Sequence, residues 1–128
     1  MPAWLWSGLF VCCMLAACTG LKDRNLSLID TLRSYETAVR WGNADNIKTM
    51  HNKELKNPLT QFTNMRISSY TIQSTRANAD KNKIQQQVEI RYYFLDQLKE
   101  KIFLDEQIWE FDDKQRVWLR SNDFPMLP

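Results

Sequence analysis

Glycine is scarce in this chain: Gly8, Gly20 and Gly42 are the only three. No glycine-rich loop that cradles phosphate can be assembled from them. Histidine is scarcer, His51 standing alone, and cysteine is confined to Cys12, Cys13 and Cys18. A zinc centre needs three or four protein ligands, so neither a metal nor a cofactor is expected. The chain beyond Cys18 has no thiol for a disulfide or a nucleophile and must hold itself together by burial. Blocks of like charge are also missing. The 17 basic and 15 acidic residues are interspersed, net +2, which is not the footprint of a nucleic-acid binder.

Paired carboxylates offer no catalytic signal either. Asp105 and Glu106 alternate faces on a strand, and Asp112-Asp113 suits a hairpin turn. Glu89 and Arg91 share a face and are expected to pair across solvent, a contact worth about 0–1 kcal/mol. These carboxylates read as solvated or turn residues, and no serine sits in a nucleophile setting. His51, with no acidic partner at helical spacing except Glu54, reads as an ordinary surface or half-buried residue. The chain is not read as an enzyme.

What is present begins with a long uncharged lead. No Lys, Arg, Asp or Glu occurs before Lys22, and Trp4, Leu5, Trp6, Leu9, Phe10, Val11, Met14 and Leu15 make the segment apolar. That is the layout of a secretory signal ending at small residues. A retained membrane span is the competing reading, but Ala3 to Ala17 falls short of the roughly 20 residues a span needs. Plain secretion is another. Leu15-Ala16-Ala17-Cys18 resembles the lipobox of bacterial lipoproteins. The resemblance implies cleavage before Cys18, a diacylglyceryl thioether on its sulfur and acylation, such as palmitate, of the new amino group. It divides the chain into a signal peptide (1–17), a lipidated cysteine with its tether (18–25) and one α+β domain (26–128). Thr19 is not the Asp that retains enteric lipoproteins in the inner membrane, so the same resemblance implies the outer membrane, facing the periplasm.

Beyond the tether, Ser27 to Asp30 reads as a capping box. Leu28, Ile29, Leu32, Tyr35, Val39 and Trp41 then follow at helical spacing, and Gly42 is placed to end the helix. Asn43 or Asp45 can cap a short second helix carrying Ile47 and Met50. Leu59 to Met65 suggests another helical turn after Asn57-Pro58. From Arg66 the period shortens toward two. Arg66 to Thr75 is expected as a strand with either a bulge or a half-exposed face, because Ile67 falls out of phase with Tyr70 and Ile72. Lys83 to Leu95 alternates most clearly, with Ile84, Gln86, Val88, Ile90, Tyr92 and Phe94 on one face. Lys101 to Phe111 and Arg116 to Arg120 complete four strands. Connections this short require antiparallel neighbours.

Helices followed by a strand meander give an α+β fold, amino-terminal helices packed on a curved four-stranded antiparallel sheet. This order resembles the nuclear transport factor 2-like, or cystatin-like, superfamily. The residues carrying the likeness are Arg40-Trp41-Gly42-Asn43, Tyr92-Tyr93, Gln107-Ile108-Trp109-Glu110-Phe111, Val117-Trp118-Leu119-Arg120-Ser121 and Phe124-Pro125. Twelve aromatic residues lie beyond Cys18. Trp41, Tyr70, Tyr92, Phe103, Trp109, Phe111 and Trp118 are the candidates for a pocket or an interface, or they fill the core. Tyr93 opposes Tyr92 and Ile108 opposes Trp109, so one face is expected to meet an envelope partner or a second copy. Three function classes stand. They are a membrane-held binding or assembly module, a carrier of an apolar small molecule, and a small lyase- or isomerase-like enzyme using His51 or a buried carboxylate. The first is favoured.

Overall fold

The computed structural model describes residues 23–128; the lipobox, Cys18 and the expected signal peptide lie outside the described residues. Helix α1 is already formed at residue 23 and runs through residue 40. Asp23, Arg24 and Asn25, expected in the tether, therefore belong to the helix, and Ser27 lies within it instead of capping it. The buried stripe is Tyr35, Ala38 and Val39, extended by half-buried Leu28 and Leu32. That is one helical face at 3.6-residue spacing.

The end of α1 is set by Gly42, which has φ +61°. Its amide donates to the Val39 carbonyl, and the Asn43 amide donates to that of Ala38. This paired closure needs a left-handed residue at that position. Trp41 falls after the last helical turn and off the buried stripe. It is 83% exposed, so it does not belong to the apolar face on which the spacing had put it. Asn43 then caps α2 (Ala44–Thr49), its side chain accepting from the Asn46 amide, and Ile47 enters the core. A 3₁₀ helix (Leu59–Asn64) buries Leu59 and Phe62. No described helix is long and apolar enough to cross a membrane.

Four strands follow: β1 (Met65–Ala77), β2 (Lys83–Phe94), β3 (Lys101–Asp112) and β4 (Val117–Arg120). They form one antiparallel meander in the order β1-β2-β3-β4. The register between β1 and β2 shifts at Ser68 and again at Gln73. The first bulge brings Ile67 into phase with Tyr70 and Ile72, opposite Tyr92, Ile90 and Val88. An extra residue in one strand reverses the facing of everything beyond it. The β1–β2 turn is tied by Asn78, whose Oδ1 accepts from the Asn82 and Lys83 amides. The β3–β4 hairpin is tied by Asp112, whose Oδ1 accepts from the Lys114 and Gln115 amides.

The core lies between this sheet and the helical layer, and the last residues close one end of it. Phe124 and Leu127 are buried there, Phe124 against Phe62 at 5.4 Å between ring centroids. Gln61 donates to the Pro125 carbonyl and accepts from the Leu127 amide. The free side of β4 is partly covered as well. Arg120 donates its amide to the Met50 carbonyl, and the Asn52 amide donates to Arg120. That contact blunts an otherwise open sheet edge.

A Cβ on residue 42 would stand 3.1 Å from the Phe62 Cβ, on a backbone that L side chains rarely adopt. Gly42→Ala is therefore expected to lower the unfolding free energy by about 1 kcal/mol or more, read by urea denaturation. An unchanged midpoint would show that the α1 closure does not depend on this residue.

Candidate functional site

Several polar and titratable side chains of this domain meet in its interior. Arg120, on the last residue of β4, is 1% exposed and Asp105, in the middle of β3, is 2% exposed. Alternation along β3 turns Phe103, Asp105, Gln107, Trp109 and Phe111 to one face, the face beneath α1. Asp105 was expected in solvent; it is buried because its register position puts it on that face opposite Val88.

The guanidinium grips the carboxylate in a forked pair, Nη2 to Oδ1 at 2.7 Å and Nη1 to Oδ2 at 2.9 Å. Nη1 also donates to the Tyr35 hydroxyl at 3.0 Å, and Nε to Asn122 Oδ1 at 3.0 Å. The carbonyls of Glu106 and Asp123 receive Nη2. A guanidinium can only donate, and each of its nitrogens has an acceptor. Arg120 thereby joins α1, β3 and the segment after β4 through one planar group.

Donor direction can be followed outward from Arg120. The Tyr35 oxygen accepts from Nη1, so its hydrogen is left for His51 Nε2, 2.9 Å away. Nε2 is then the bare nitrogen and the ring proton sits on Nδ1. On the other side, Trp109 Nε1 donates to Gln107 Oε1 at 3.0 Å. This fixes the Gln107 amide, whose nitrogen donates to the Tyr70 hydroxyl at 2.9 Å and to Asp105 Oδ2 at 3.0 Å. The Tyr35 ring meets Trp109 edge-on, centroids 4.9 Å apart.

Electrostatics keep the members of this chain in one protonation state. Burial pushes the Tyr35 phenol far above its ordinary value, against the opposing pull of Arg120. Burial likewise raises Tyr70, with the Gln107 hydrogen bond opposing. His51 is lowered from 6.5 to about 4, first by burial and then by the Arg120 charge. A neutral imidazole, two neutral phenols and one charge-paired guanidinium form a closed set. Among the described residues, no group of three or more His, Cys, Asp or Glu could hold a metal ion.

Of the residues singled out in the sequence, Tyr70, Tyr92, Phe103, Trp109, Phe111 and Trp118 share the face under the helices. Tyr70, Tyr92, Trp109 and Trp118 are buried there. Trp118 donates its indole hydrogen to the Arg24 carbonyl, and Tyr92 its hydroxyl hydrogen to that of Pro128. Trp41 stands apart, lining an open groove of about 1710 Å³ that none of the buried polar network touches. The opposite sheet face carries half-buried Tyr93 and exposed Ile102 and Leu104. Around them Arg91 pairs with Glu89 at 2.8 Å and with Glu100 at 3.3 Å. Asp105, Gln107, Arg120 and Tyr35 were not among the candidate pocket or interface residues, and Asp105 was read as solvated. The available signal was parity: a charged residue flanked at both second neighbours by inward residues. Comparison with family models, with curated proteins and with solved structures finds no match to this chain.

Two outcomes are expected. Arg120→Met should cost about 3–5 kcal/mol, because a buried carboxylate loses its partner. The double variant Asp105→Leu/Arg120→Met should cost less than the two single changes together, as measured by urea unfolding; strict additivity would show the pair uncoupled. His51, being the sole histidine, gives one imidazole Cε1–H signal whose midpoint should lie near pH 4. The unfolded chain takes up that proton near 6.5, so stability should decline as pH falls from about 6.5 to about 4 and be insensitive to His51 above that window. A midpoint near 6.5 would remove the claim.

Proposed function

We propose that this chain is a lipid-anchored protein of the bacterial envelope whose domain is a non-enzymatic binding or assembly module on a nuclear transport factor 2-like scaffold. One observation carries the reading. The buried titratable side chains Tyr35, His51 and Asp105 are spent on one another and on Arg120 inside the core. A general acid or base must come within hydrogen-bond reach of a substrate proton, and here those positions are taken by protein. The α+β layout, with helices over one face of a four-stranded antiparallel sheet, supports the scaffold assignment.

The anchor rests on Leu15-Ala16-Ala17-Cys18 and on the uncharged segment before it. Four residues lie between Cys18 and residue 23, five Cα steps with a reach of about 18 Å when fully extended. A domain held on so short a lead stays at the membrane surface, where its free faces meet other envelope components. The outer membrane, periplasmic side, is the proposed location because residue 19 is Thr.

Two experiments test this. Radiolabelled palmitate should enter the wild-type protein in growing bacteria and should not enter Cys18→Ala, and the intact mass of native material should correspond to a lipidated chain starting at Cys18. A species retaining residues 1–17 would end the anchor assignment. For the module, crosslinking of intact envelopes should recover a defined protein partner or a second copy. Native mass spectrometry that instead finds a small molecule carried in the purified domain would replace this reading with that of a carrier.

A further inference from the structure

The feature that the buried network leaves unexplained is Trp41. Large aromatic side chains supply much of the energy of any surface they bury, and this one is 83% exposed at the mouth of a concave groove. The floor of that groove is apolar, formed by Leu55, Phe62 and Ile67, all buried or half-buried. Around it stand Arg40, Lys48, Lys53, Lys56 and Arg66 against only Glu36 and Glu54. The local excess of three positive charges exceeds the +2 of the entire chain. Among the described residues none of these five cations is in an ion pair, so their charge is not neutralised by a neighbouring carboxylate.

We propose that this groove docks an acidic, extended segment of a partner protein, with Trp41 as the apolar anchor of the contact. The proposal rests on the reading of the domain as a binding module and names its site and the chemistry of its partner. Charge complementarity selects an acidic occupant. Shape and position favour a polypeptide over a bilayer. A recessed floor admits a chain with side chains that reach down, which a planar surface does not supply. The groove also lies at the far end of α1 from Arg24, whose guanidinium donates to the Asp80 carbonyl in the β1–β2 turn. Residues 23–40 span about 27 Å as helix, so the groove is at the end of the domain opposite the proposed anchor. The exposed tryptophan with Arg40 and Arg66 matches residue types enriched at interfaces, and the three lysines suit the polar rim of such a contact.

The test uses the full-length lipidated protein in nonionic detergent micelles. Its probe is a short fluorescein-labelled peptide rich in Asp and Glu with a central Leu-Phe pair, followed by fluorescence anisotropy. Saturable binding that weakens with added salt is expected. Trp41→Ala and the double change Lys48→Glu/Lys56→Glu should each raise the dissociation constant about tenfold or more. Lys114→Glu, in the distant β3–β4 hairpin, should leave it unchanged. All these positions are exposed, and circular dichroism confirms that each variant is folded. The proposal is overturned by an absence of saturable binding, by equal binding of the counterpart peptide with Lys in place of Asp and Glu, or by binding that survives both groove variants. Displacement of the peptide by phosphatidylglycerol added to the micelles would assign the groove to lipid and overturn it too. A partner crosslinked in envelopes equally well by wild type and by the groove variants would sink this inference while leaving the binding-module reading intact.

Discussion

Arg120 is the group on which the interior of this domain depends. A guanidinium taken from water loses several kcal/mol of solvation, and only complete partnering makes that tolerable. The partners come from everywhere the chain passes. Tyr35 comes from α1, Asp105 and the Glu106 carbonyl from β3, and Asn122 and the Asp123 carbonyl from the segment beyond β4. Its backbone binds Met50 and Asn52 as well. A purely apolar interface could slide by a residue at modest cost. Five donors in a fixed plane cannot, because a one-residue slip of β4 would turn the guanidinium to the opposite face of the sheet. The pair is therefore better understood as setting register and the seat of α1 than as a source of net stability.

The same network bears on what the domain does. Its histidine and tyrosine hydrogen-bond each other, which in an open cleft would suggest proton transfer. Here the Tyr35 hydrogen has one destination, His51 Nε2, and the Tyr35 oxygen is already held by Arg120. The groove lined by Trp41 is built from other residues altogether. Polar groups are committed to the interior and an aromatic group is left at the surface. That contrast underlies the functional proposal.

Much of the architecture could be read directly from alternation. In β2, Ile84, Gln86, Val88, Ile90 and Tyr92 repeat every second residue and all are buried, and the short connections around it left antiparallel pairing as the one solution. The phase break between Ile67 and Tyr70 left either a bulge or a half-exposed strand, and the register shows the bulge. Local pattern misled in two places. Trp41 continues the apolar helical series in the sequence, yet the closure at Gly42 ends the helix before its side chain can reach the core. Asp105 looked solvated because carboxylates usually are. Its burial depends on a cation fifteen residues away that arrives through a separate strand.

Sequence by itself determined the periods of the four strands, the left-handed stop at Gly42, the apolar lead before Cys18 and the lack of any thiol beyond it. These follow from near-neighbour properties: side-chain alternation, backbone freedom and composition. Only the tertiary structure decided that Tyr35, His51, Asp105, Gln107 and Arg120 form one hydrogen-bonded unit, and that the cations around Trp41 share a groove. Both are matters of distance in space between residues far apart along the chain, and no local rule specifies which polar groups will meet once helix and sheet close.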